Sequence, residues 1–220
     1  MRMRYRDRVE AGRQLGEVLR DRDLHDPIVL GLPRGGVVVA AEVAIALRAP
    51  LDVVIVRKVG VPGHRELAMG ATAEGGISVV DERVRRAELV DDVAYARAEA
   101  AEQRQVDERA RTYRAVRPRL PLAGRTAVLV DDGIATGSTA RAAIAVTRAA
   151  DAARVVLAVP VAAPEAVVEL GRHADEVVCP SQPERFTAVG YWYDRFDQVS
   201  DDEVLTLLGA AAAADRPSTG

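Results

Sequence analysis

Short apolar runs alternate along the chain with longer stretches in which apolar residues return every three or four positions. The runs are IVLGL at 28–32, LDVVIVRK at 51–58, ISVV at 77–80, RTAVLVDD at 125–132, RVVLAVPVA at 154–162 and EVVCP at 176–180. Each predicts a short buried strand. Between them, residues 5–22 predict an amphipathic helix with Val9, Leu15, Val18 and Leu19 on one side. VVVAAEVAIAL at 37–47 predicts a helix despite its β-branched start. Residues 82–117 predict one or two helices, with Val84, Val90, Val93, Ala101, Val106, Ala110 and Tyr113 at roughly helical spacing and a charged, solvated face. A helix is predicted from about Gly137, another over PEAVVELGRH at 164–173, and a last one over SDDEVLTLL at 200–208. Ser200 is placed to cap that last helix, with Glu203 at capping-box spacing.

Strands alternating with helices predict an α/β fold: a mostly parallel central sheet flanked by helices, with right-handed crossovers. One domain would cover 1–210, with 82–117 as a helical insertion and 180–200 as a small C-terminal hood. AAAADRPSTG at 211–220 predicts a disordered tail. VGVPGHRELAMGATAEGG at 59–76 has the Gly and Pro content of a long mobile loop. In parallel sheets ligands bind outside the carboxyl ends of the strands. Three unusual loops follow strands: PRGG at 33–36, RKVGVPGH at 57–64 and DDGIATGST at 131–139. They should meet on one edge.

Composition narrows the partners. With 220 residues and 49% hydrophobic content, the chain is long enough for one sizeable core. A net charge of −3 offers no electrostatic footprint for nucleic acid. No apolar run is long enough for a membrane span. The single cysteine, Cys179, excludes an intrachain disulfide, and with the lack of an apolar signal segment it points to the cytoplasm. Cys179 reads as a buried strand end with no activating base nearby in sequence. Of 30 basic residues only Lys58 is a lysine. It is either a chance survivor of a strong Arg bias or a place where a compact, movable ammonium is needed.

VLVDDGIATGSTA at 128–140 carries the most chemistry. A loop turning into a helix presents free N–H groups and the positive end of the helix dipole, a site for an anion. Gly133 and Gly137 allow close approach, and Thr136, Ser138 and Thr139 add hydroxyl donors. Asp131 and Asp132 cannot hold phosphate, but they accept hydrogen bonds from vicinal hydroxyls. A ribose 5-phosphate offers both features about one sugar apart. Other phosphate and nucleophile motifs are missing: no Walker A loop, no G-x-G-x-x-G after a strand, no G-x-S-x-G, and no metal-ligating group of His and Cys.

This stretch resembles the phosphoribosyl-pyrophosphate (PRPP) signature of type I phosphoribosyltransferases, two acids at a strand end followed by a T-G-x-T-like loop. The resemblance extends more loosely over 5–208. It implies that Asp131 and Asp132 hold the ribose hydroxyls, directly or through Mg²⁺ and its waters. It implies that Ala135, Thr136, Gly137, Ser138 and Thr139 cradle the 5-phosphate. PRGG resembles the pyrophosphate loop, with Arg34 meeting pyrophosphate oxygens and Gly35 and Gly36 offering amides. Such loops often hold a non-proline cis peptide, here expected near Pro33–Gly35. Arg57 and Lys58 resemble the basic pair that closes on pyrophosphate. Residues 59–76 would then be the catalytic lid, with His64, Arg65 and Glu66 at its polar tip; an exposed loop histidine is the plainer reading of His64.

The implied reaction is Mg²⁺-dependent transfer of the phosphoribosyl group from PRPP to a nitrogen acceptor, a nucleobase, with pyrophosphate released. Asp131, Asp132, Arg34 and Lys58 would be the catalytic set. Enzymes for 6-oxopurines usually carry an acid where Ala135 stands, so hypoxanthine and guanine are disfavoured. Five of the eight aromatic residues fall within 186–196. Phe186 and Trp192 would stack on the base, or these rings seal the core or a dimer contact. The resemblance further implies a role in nucleotide metabolism and a homodimer. A regulator that binds PRPP or a nucleotide without turnover is the alternative, and hydrolysis in the same pocket a third reading.

Overall fold

The structure is a computed structural model that describes residues 4–215, and at Arg65 the backbone alone. Its centre is a five-stranded parallel sheet in the order β2-β1-β6-β7-β8. The strands are β1 (Pro27–Gly31), β2 (Leu51–Val53), β6 (Thr126–Val130), β7 (Arg154–Ala158) and β8 (Glu176–Val178). Both faces are covered, as the unbroken apolar runs require. In β1, β6 and β7 alternate side chains go to opposite faces. Val29, Val128, Val130 and Val156 join one core with α1 (Arg8–Arg20), α2 (Gly35–Leu47) and α7 (Asp201–Ala214). Ile28, Leu30, Leu129 and Leu157 join a second core with α5 (Ser138–Ala149) and α6 (Pro164–Leu170). Helix α2 forms despite its valines because Val37, Val38, Val39 and Val43 are all buried, so packing outweighs propensity.

Two expected elements are corrected. LDVVIVRK is not one strand: it breaks at Val54–Ile55, and its second half is β3 (Val56–Val61) of another sheet. Residues 59–76 are not a long loop either. β3 pairs antiparallel with β4 (His64–Ala73), and β4 with β5 (Ser78–Val80). The strand signal is present but two-sided: Val59, Val61 and Met69 are buried toward the insertion at 82–117, Ala71 and Ala73 join the second core with α5, and Thr72 is buried as well. Gly60, Pro62, Gly63 and Gly70 mask it by punctuating the run, and the register slips on both sides of Gly60. The insertion forms two helices, α3 (Glu82–Ala87) and α4 (Asp92–Arg114). Val84, Val90, Tyr95 and Ala98 cover one side of the hairpin.

The C-terminal boundary also moves. Helix α7 runs through Ala214 because Ala211 packs against the core, so the disorder expected from 211 is not seen there. Arg117 pairs with Asp215 at 2.5 Å; residues 216–220 of that expectation lie outside the described part. Segment 180–200 includes a 3-10 turn, Val189–Trp192, tied to the N-terminus where the Tyr5 N–H donates to the Trp192 carbonyl at 2.9 Å. Ser200 caps α7 by accepting the Glu203 N–H at 3.1 Å. Among the described residues no helix is long and apolar enough to cross a membrane.

Candidate functional site

The phosphate-type turn lies between β6 and α5. Ile134 is buried and anchors its base: its N–H donates to Val161 and its carbonyl accepts from Ala163, each at 3.0 Å. Beyond it the chain rises to an exposed crest at Ala135 and Thr136. Gly137 then enters α5 with φ 74°, a conformation that disfavours any side chain. A Cβ there would also stand 2.9 Å from Leu170 Cδ1. The first carbonyl taken up by α5 is that of Gly137, which accepts from Arg141 at 2.8 Å. Among the described residues, no amide from Ala135 to Ala140 donates to a backbone carbonyl. No side chain caps the helix. The turn therefore presents a set of free donors at the positive end of a twelve-residue helix.

Asp131 and Asp132 sit just below this turn. Burial raises both carboxyls above the ordinary aspartate range; the charge of Asp132 raises Asp131 further, while Arg8 pulls Asp132 back. Arg8 is a site residue missed in the sequence, where it is one arginine of several at a helix start. Its Nε donates to Asp132 Oδ2 at 2.7 Å and its Nη1 to the Asp197 carbonyl at 2.8 Å. Its guanidinium lies 3.9 Å from the centre of the Phe196 ring, a cation–π contact. The Tyr193 hydroxyl donates to the Asp132 carbonyl at 2.5 Å.

The PRGG loop meets the acid pair directly. The Pro33–Arg34 peptide is cis. A Cβ on Gly35 would lie 2.0 Å from Asp132 Oδ2, and one on Gly36 2.7 Å from the Val130 carbonyl. Only glycine lets the two loops close on each other. The Gly35 and Gly36 amides donate to no backbone carbonyl among the described residues. Arg34 Nη1 is 3.9 Å from Asp201 Oδ2, and Asp201 Oδ1 accepts from the Tyr113 hydroxyl at 2.5 Å.

The basic pair is divided between two places. Consecutive residues in a strand face opposite ways. Arg57 turns to α4, where its Nε meets Glu102 at 2.5 Å. Lys58 turns to α5, where its Nζ donates to Ser138 Oγ at 3.0 Å and lies 3.8 Å from Glu66. Lys58, the residue expected to meet pyrophosphate, stands at the turn that opens α5. His64, at the hairpin tip, is exposed and 4.0 Å from Glu88. The Arg65 side chain lies outside the described part. Trp192 is 6% exposed and joins Tyr5, Ala11, Val161 and Tyr193 in a satellite core. Phe186 stacks on it at 6.4 Å between centroids, so Trp192 offers no open face to a base.

A parallel α/β sheet with a free-amide turn and a paired acid at its strand ends has the arrangement of an α/β domain that binds ligands outside its strand ends. The chain belongs to the phosphoribosyl transferase domain family, whose pattern matches residues 9–194. A curated protein from two strains of Mycobacterium tuberculosis, provisionally named a phosphoribosyl transferase, is 48% identical over 97% of this chain. The match takes in 51% of that protein, so the chain spans about half the length of these relatives. The crystal structure of TT1426 from Thermus thermophilus is 48% identical, with a TM-score of 0.90 over 94% of this chain and 99% of that one. The AQ2163 protein of Aquifex aeolicus, 12% identical, covers 83% of this chain and 76% of its own with a TM-score of 0.50, a likeness of fold.

Proposed function

We propose that this protein is a Mg²⁺-dependent phosphoribosyltransferase that moves the 5-phosphoribosyl group of PRPP to a nitrogen of a nucleobase and releases pyrophosphate. The observation that carries this reading is the contact between three parts: free amides at 135–140, the acid pair, and the Gly35–Gly36 loop pressed against Asp132. The turn takes the 5-phosphate on its amides, helped by Lys58 beside Ser138. Asp132 Oδ1, left free by Arg8, accepts from the ribose diol, with Asp131 behind it. The Gly35 and Gly36 amides and Arg34 receive the leaving pyrophosphate as negative charge builds there.

The donor set fits Mg²⁺. Among the described residues no three His, Cys, Asp or Glu side chains gather as a metal cage. Mg²⁺ is commonly held by one or two carboxylates together with substrate phosphates. Asp131 and Asp132 would supply the carboxylates, and the bound ion would neutralise charge on the pyrophosphate.

The test is pyrophosphate release with Mg²⁺, PRPP and a panel of bases. Base-dependent release is expected; release without a base would mean hydrolysis, and binding without release a sensor. Asp132→Asn should weaken PRPP and ribose 5-phosphate binding about tenfold, the effect of a charge-assisted hydrogen bond. Unchanged affinity in calorimetry would remove Asp132 from the site.

A further inference from the structure

Two adjacent carboxylates at a strand end repel each other, so a cation beside them decides where they can rest. Among the described residues the basic group paired with Asp132 is Arg8, and the two side chains are only 15% and 11% exposed. A buried ion pair adds little stability beyond apolar residues of the same volume. Helix α1 also has no need of it: Asp7 caps the helix, and Leu15 and Leu19 supply its buried face. The consequence of the pair is geometric. Arg8 Nε takes Asp132 Oδ2, and an ionised carboxylate held by one oxygen still accepts with the other.

The guanidinium is itself held from three further sides. Nη1 donates to the Asp197 carbonyl, the Phe196 ring lies over its face, and a Cβ on Gly35 would stand 2.9 Å from Nε. The backbone that carries Arg8 is fixed as well. The Asp194 and Arg195 N–H groups donate to the Tyr5 and Arg6 carbonyls at 2.8 and 2.9 Å, and Arg195 pairs with Asp7. Asp7 in turn accepts from the Glu10 N–H at 3.0 Å. From the C-terminal segment the Tyr193 hydroxyl holds the Asp132 main-chain carbonyl. Residues 5–8 and 193–197 thus clasp each other, and together they grip one acid by its carboxylate and by its backbone.

We propose that Arg8 is a positioning residue for the sugar: it fixes Asp132 through Oδ2 so that Oδ1 is presented to the vicinal hydroxyls of the ribose. This rests on the PRPP reading given above. The start of the chain is then part of the ligand site, although Arg8 acts through Asp132 and does not itself meet the sugar.

Calorimetry on the full chain with ribose 5-phosphate and with inorganic phosphate, which has no diol, tests this. Arg8→Met should lose about fivefold in affinity for ribose 5-phosphate, as expected when a charge-assisted contact is misplaced. Its affinity for inorganic phosphate should stay within about twofold of the wild type. Arg8→Lys keeps one donor and should recover part of the loss; it carries the same test if Arg8→Met does not fold. Arg13→Met, which breaks an exposed pair with Glu42 on the same helix, should match the wild type. Because Arg8 acts through Asp132, adding Arg8→Met to Asp132→Asn should weaken ribose 5-phosphate binding by no more than about twofold further. Wild-type affinity for ribose 5-phosphate in Arg8→Met, an equal loss for inorganic phosphate, or fully additive losses in the double variant would overturn the assignment. A wild-type chain that binds ribose 5-phosphate no more tightly than phosphate would overturn the diol reading of Asp132 and Arg8 with it, and the wild type alone tells the two failures apart.

Discussion

A strand turns successive side chains to opposite faces, and in β3 that separates Arg57 from Lys58 by the full thickness of the hairpin. The dipeptide is conspicuous in a chain with one lysine, yet its two charges go to different neighbours. Arg8 is the reverse case: nothing in MRMRYRDR distinguishes it, and only folding carries it across 124 positions to Asp132. Cys179 was legible from its apolar surroundings. Burial pushes its thiol up to about 11, and its Sγ–H donates to the Ser181 carbonyl at 3.2 Å. The thiol should therefore stay protonated at neutral pH. Alkylation by iodoacetamide, followed by mass, should be slow at pH 7 and accelerate only as pH approaches that value; fast labelling at pH 7 would contradict it.

At the scale of elements, α4 does more than its composition suggests. Its many charges read as a solvated face, but Arg57 and Thr72 of the second sheet and Glu74 just beyond it all bond to it. Arg114, at its end, joins two strands: Nη1 meets Asp52 of β2 at 2.5 Å and Nη2 meets Glu74, just past β4, at 2.7 Å. Asp52 is 1% exposed, and Arg114 is the basic group paired with it. Arg114→Met should cost about 3–5 kcal/mol in urea unfolding, because a buried carboxylate would lose its counter-ion. A loss below about 1 kcal/mol would place the pair among weak surface bridges. The hairpin β3–β4 escaped the sequence for a related reason. Its two faces are buried by different elements, one by α3 and α4 and the other by α5, which lies more than 60 residues further along the chain from β4.

For the molecule as a whole, the consequence of the site is linkage. A ligand present at a hundred times its dissociation constant adds about 2.7 kcal/mol to stability, or about 5–10 °C in Tm for a chain of this size. Ribose 5-phosphate should raise Tm by that amount in calorimetry, and Asp132→Asn should blunt the rise at the same concentration. No rise at saturating ligand would mean that the folded state has no such site. The turn at 131–139 contacts the PRGG loop through Gly35 and strand β3 of the hairpin through Lys58, so two strand-end loops meet there and a strand of the second sheet takes the place of the third.

The sequence alone determined what depends on near neighbours: the parallel sheet, read from short apolar runs, and the turn whose glycine must take a positive φ to free the amides of α5. A few residues of chain carry those constraints whatever surrounds them. Tertiary structure decided which charges meet. It brought Arg8 to Asp132, sent Lys58 to the turn before α5, buried Trp192 and packed α4 on the hairpin, because a side chain's partner depends on the packing of remote elements and no local spacing encodes it.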